Sequence, residues 1–176
     1  MSEFSESYHL RTNNKDDGIA LLNKMGARGI VFEQTNGWIT VLPEGELNSQ
    51  IGNVSSSFSG VVLHYMYAED HAWMMNLFSN GLPISRFLCM WDPEFNVQDD
   101  SLNVDAFADY LQSPDTMQEF EKLFAIDNLE DLFEVNPAYK FADLLGIEHY
   151  QWLGGHDLPS HADDILQNVK EAVLVE

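Results

Sequence analysis

Two Asn-Gly pairs, Asn36-Gly37 and Asn80-Gly81, constrain this chain more than any other feature. Each lies between runs rich in β-formers: residues 29–34 and 38–42 around the first, residues 72–78 and 82–91 around the second. A two-residue type I′ turn needs positive φ at both central positions, which Asn and Gly tolerate best, so each pair predicts a β-hairpin. Centring the second turn on Asn80-Gly81 sets Leu77 opposite Ile84, Met75 opposite Arg86 and Trp73 opposite Leu88. The other face then pairs Phe78, Asn76 and Met74 with Pro83, Ser85 and Phe87. Both faces are largely apolar, which predicts helices or a second subunit against the second face.

Residues 7–12 and 61–67 read as further strands. Ile19, Leu22 and Met25 predict a helix that starts within the polar run Asn13–Asp17 and stops at Gly26. Leu47, Ile51, Val54 and Phe58 share one helical face. Beyond Trp91 short helical patterns take over: Val104, Phe107, Ala108 and Leu111; Met117, Phe120, Leu123 and Phe124; residues 129–133; residues 139–145, stopped by Gly146; and Ile165, Leu166, Val169 and Val173. The expected fold class is α+β, a mainly antiparallel sheet of about five or six strands with packed helices and a helical C-terminal half. With 176 residues the chain suits a single domain, 1–176, made of a sheet-rich portion (1–91) and an acidic helical portion (92–176).

Three stretches carry a resemblance: Gly37-Trp38-Ile39-Thr40-Val41, then residues 70–81 around the second turn, then Phe141-Ala142-Asp143-Leu144-Leu145-Gly146-Ile147. Together they resemble an uncharacterised group of small bacterial α+β proteins over roughly residues 28–150. The resemblance implies an α+β fold and supplies no catalytic residues.

Charge speaks to function. The chain holds 29 acidic against 8 basic residues, a net charge of −21. Nucleic acid and anionic lipid both call for a basic surface, so neither is an expected partner. Residues 92–134 carry thirteen acids and the lone base Lys122, a net −12 in about a quarter of the chain. The acids expected to dock a basic partner protein are Asp92, Glu94, Asp99, Asp100, Asp105, Asp109, Asp115, Glu119 and Glu121. Phe95, Phe107, Tyr110, Phe120, Phe124 and Phe133 run among them and would anchor a partner where exposed. The first functional expectation is therefore a non-catalytic acidic interaction module, in one form an immunity-type inhibitor.

Metal chemistry is the alternative. His156, Asp157, His161 and Asp163 fall within nine residues and are ligand types for zinc, manganese or iron, which would make a small metal-assisted hydrolase. The competing structural reading places them in a loop and at the N-terminal turn of the last helix. A homodimeric scaffold is the third expectation.

Other chemistry finds little footing. His64 in its apolar strand reads as a satisfied core histidine, His71 as a solvated turn residue, and Cys89, the single cysteine, as a small buried thiol. No catalytic residues and no cofactor are expected, since phosphate-binding glycine loops and the Gly-x-Ser-x-Gly elbow are missing. Trp38, Trp73, Trp91 and Trp152, with Phe78 and Phe87, are core or the lining of a ligand cleft. The N-terminal ten residues are polar and acidic, unlike a secretory leader, and the expected location is cytoplasmic.

Overall fold

Both Asn-Gly pairs turn through the left-handed region, with φ of 52° and 83° at Asn36 and Gly37 and of 50° and 80° at Asn80 and Gly81. The hairpins they close are the ones the sequence predicts, and they organise the rest of the chain. The computed structural model describes residues 3–176; Met1 and Ser2, which open the polar N-terminal stretch, lie outside the described residues.

The strands are β1 (Phe4–Arg11), β2 (Gly29–Val31), β3 (Trp38–Pro43), β4 (Val61–Ala68), β5 (Ala72–Ser79), β6 (Leu82–Met90), β7 (Asn96–Gln98) and β8 (Val173–Val175). The helices are α1 (Lys15–Met25), α2 (Ile51–Ser57), α3 (Met117–Lys122), α4 (Leu129–Val135), α5 (Pro137–Leu145) and α6 (Leu158–Asn168). The fold is α+β with one antiparallel sheet in the order β7-β6-β5-β4-β1-β3-β2-β8, and the helices after β7 fill the C-terminal half. Eight strands replace the expected five or six. The three-residue edge strands β7 and β8 are too short to show a period-2 pattern.

Residues 104–110, expected as an α-helix, instead form a 3₁₀ segment. The Asn14 side chain caps α1 by accepting the Asp16 N–H at 3.2 Å, and Gly26 ends the helix at φ 62°.

The β5–β6 register corrects the sequence reading by one residue. Phe78 does face Pro83, but Leu77 then faces Ser85, so Ile84 is an extra residue bulged out of the ladder. Beyond the bulge Met75 pairs with Phe87, Trp73 with Cys89, Asn76 with Arg86 and Met74 with Leu88. Side chains alternate along a strand, so this single residue turns Phe87 and Cys89 toward one face and Arg86 and Leu88 toward the other.

Both faces of the sheet carry helices, as the apolar pattern requires. On one side α1 and α2 cover Tyr8, Leu10, Val31, Ile39, Val41 and Val62. On the opposite side the C-terminal helices bury Trp38, Leu63, Tyr65, Trp73, Met75 and Phe87 against Phe107, Phe120, Phe124 and Phe141. Helix α6 extends that layer over Ile30, Phe32 and Leu42. Two buried side chains pin α5 to the sheet: the Trp38 indole donates to the Leu145 carbonyl and the Tyr65 hydroxyl to the Ala138 carbonyl, each at 3.0 Å. Among the described residues no helix is long and apolar enough to cross a membrane.

Candidate functional site

Residues 92–134 wrap from the β7 edge through the 3₁₀ segment to α4, and all nine acids expected to dock a partner are exposed. The other four acids of the stretch are exposed too, except the half-buried Asp131. Among the described residues only Asp92 of these thirteen makes an ion pair, with His71 at 2.8 Å. Lys122 stands exposed within the stretch, and three of the other strong cations are engaged elsewhere. Lys15 bridges Glu33 at 3.1 Å, Arg28 bridges Glu44 and Glu176, and the Arg11 guanidinium lies 5.0 Å above the Trp38 ring. The interleaved aromatics divide: Phe107, Phe120 and Phe124 are core, Phe95 and Tyr110 are half-buried, and Phe133 stands 58% exposed. A helix on the sheet needs those rings for its own packing, so one full anchor remains where six were considered.

The histidine-rich segment is divided between a 3₁₀ turn, Gly155–Asp157, and the start of α6. His156, Asp157 and His161 line one groove of about 510 Å³ with Phe4, Trp152 and Asp164, whereas Asp163 is not part of its wall. The His156 Nε2 contacts the Asp157 carboxylate at 3.1 Å, while the His161 Nδ1 contacts the Ser160 hydroxyl at 3.0 Å. These side chains do not point at a common centre. Among the described residues no group of three or more His, Cys, Asp or Glu side chains is arranged to hold a metal ion.

Two buried polar chains run through the sheet, and neither contains a residue expected to be catalytic. On the α1/α2 side Asn76 Nδ2 donates to His64 Nδ1 at 3.1 Å, and His64 Nε2–H donates to Glu6 Oε1 at 2.7 Å. The Glu6 carboxylate also accepts the Tyr8 hydroxyl and the Asn48 N–H. His64 is thus a core histidine with both nitrogens paired. On the opposite side His9 Nδ1 meets Thr40 Oγ1 at 3.0 Å, and Thr40 donates its own hydroxyl proton to the Glu148 carbonyl at 2.9 Å. Nδ1 must therefore be the donor, which leaves Nε2 to accept the Ser7 hydroxyl at 2.8 Å.

Ser7 and His9 have the separation of a nucleophile and its base. Both are fully buried and line none of the cavities described, so no substrate carbonyl can approach Ser7. Burial, reinforced by His149 and His64, pushes His9 down to about 3, a neutral imidazole that completes a packed network. Cys89 is buried, and desolvation raises its thiol to about 11, which suppresses the reactive thiolate. His71 sits exposed at its turn.

Of the aromatic residues considered for a cleft, Trp38, Phe78 and Phe87 are core. Trp152 lines the α6 groove, and Trp73 and Trp91 line a second cavity of about 350 Å³. Glu6 and His9 carry no signal in the sequence, because His64 and Thr40, which complete their networks, lie 58 and 31 residues away along the chain.

The chain matches no family model, no curated protein and no solved structure, so the resemblance noted in the sequence adds nothing to the fold class.

Proposed function

We propose that this protein is a non-catalytic interaction module that docks a basic partner protein through residues 92–134. One observation carries the reading: twelve of the thirteen acids there have no counter-ion among the described residues, eleven of them exposed, and the thirteenth, Asp92, pairs only with a histidine. Uncompensated charge of one sign costs self-repulsion, which a cationic surface relieves on binding. Such a surface steers encounter and fixes register, while Phe133 supplies an apolar contact among the charges. An inhibitor that covers the cationic site of its partner is the concrete form. A catalytic role is less well supported, because the buried polar chains are closed to substrate and the His156 segment does not converge.

The test is capture of partner by the immobilised protein at low and high salt. Asp99→Lys with Asp100→Lys weakens capture by about tenfold or more, because it changes the local charge by four units. Glu46→Lys with Glu148→Lys makes the same change outside the segment and leaves capture nearly intact. Equal loss in both pairs would mean that net charge alone, rather than this surface, attracts the partner.

A further inference from the structure

The cavity of about 350 Å³ lies where the β4–β5 turn meets α4 and α5, and aromatic residues make half of its wall: Tyr67, Trp73, Trp91, Phe133 and Tyr139, with Glu69 beside them. The rings form a continuous series. Tyr139 and Tyr67 centroids are 5.4 Å apart, Tyr67 and Trp91 are 6.2 Å apart, and Trp91 and Phe133 are 6.0 Å apart. Successive planes turn by 67°, 49° and 74°, so the series curves instead of stacking flat.

Hydrogen bonds fix the wall. The Trp91 indole donates to the Glu69 carbonyl at 3.1 Å, and the Tyr139 hydroxyl donates to Glu3. The Glu3 N–H in turn donates to the Glu69 carboxylate at 2.8 Å.

The electrostatics are one-sided. Glu3 is buried, Glu69 is exposed, and neither has a cationic partner among the described residues; no Lys, Arg or His lines the cavity. Burial first, and then Glu69 and Glu3, raises Tyr67; burial first, and then its bond to Glu3, raises Tyr139. Trp73 adds a separate observation: it is fully buried, yet its indole Nε1–H has no acceptor. Leaving a buried donor unpaired costs free energy, and this cavity adjoins that ring.

Curved aromatic walls beside uncompensated carboxylates suit a diffuse, weakly hydrated cation, which gains from the ring faces without a large desolvation cost. We propose that this cavity binds a methylated ammonium head group, with an acceptor oxygen a few bonds away to meet Trp73. The site goes beyond the docking reading and does not depend on it.

The test titrates the full chain with choline, with its uncharged isostere 3,3-dimethylbutan-1-ol, and with a short peptide bearing trimethyl-lysine. Binding is followed by tryptophan fluorescence and by indole N–H resonances, at a salt concentration that releases a docked basic protein. Choline binds, and the uncharged isostere binds about tenfold more weakly or not at all. Phe133→Ala, at a largely exposed position, weakens choline severalfold with an unchanged circular dichroism spectrum, and Glu69→Gln weakens it less. Tighter binding of the peptide than of choline means the head group arrives on a protein chain; equal or weaker binding means a free small molecule. Either result supports the site. Equal binding of choline and its isostere, no response to choline or the peptide, or full affinity in folded Phe133→Ala overturns it.

Discussion

His9 and His64 sit on neighbouring strands, β1 and β4, yet the same side chain is held in two different ways. His9 and Leu63 are paired in register, and His64 pairs with Tyr8 one step along. That single step sends the two imidazoles to opposite faces of the sheet. His9 meets only hydroxyls, Ser7 and Thr40, with no charge to receive a second proton. His64 meets a buried carboxylate, Glu6, and an amide, Asn76, that can present oxygen instead of nitrogen by rotating. The contrast teaches that a histidine's chemistry here is set by the strand pairing, not by its local sequence.

Three experiments would break or sharpen that contrast. The largest effect is expected from His64→Ala, which strips a buried carboxylate of its ring donor and leaves a void. Denaturant titration should show a loss of about 3–5 kcal/mol, and Glu6→Gln should lose less because it retains an acceptor. A loss below about 1 kcal/mol for His64→Ala would mean water replaces the ring and the network is not integral.

Next comes pH. His9 is depressed to about 3 in the folded chain against 6.5 when unfolded, so the unfolded state takes up the proton first. The stability it contributes is complete above pH 6.5 and is lost as pH falls toward 3, at up to about 1.4 kcal/mol per pH unit. His9→Gln should flatten the stability profile in that window. An unchanged slope would assign it to the carboxylates. Smallest is Ser7→Ala, which removes the donor to His9 Nε2 and should cost about 1–2 kcal/mol at neutral pH.

The sequence carried the local chemistry of this fold and little of its long-range pairing. Asn36-Gly37 and Asn80-Gly81 announced the hairpins because a turn's backbone demand is met by its own two residues. The bulge at Ile84 was invisible, since a one-residue slip leaves composition and alternation almost unchanged while exchanging the faces of Arg86 and Phe87. His64 was legible as a core residue from its apolar neighbours, but Glu6 lies 58 residues away and only the β1–β4 ladder brings it near. Acids flank Phe107, Phe120 and Phe124 in the sequence, a pattern that reads as a row of anchors. The structure uses them as the inner stripe of segments whose outer stripe is acidic. The aromatic cavity was half visible, through Trp73 and Trp91, whereas Tyr67 and Tyr139 gave no sign of joining them.

The bulge makes residue 84 a frame-setting position for the strand that follows. Pairing Ile84 with Leu77 in an unbroken ladder, with no residue removed, would invert everything from Ser85 to Met90. A guanidinium would then be driven among Trp73, Phe124 and Phe141, and a phenyl ring would be left to solvent. The more regular hairpin is thus the one this chain cannot use, and the place of Ile84 outside the ladder is what puts Phe87 in the core and leaves Arg86 in solvent.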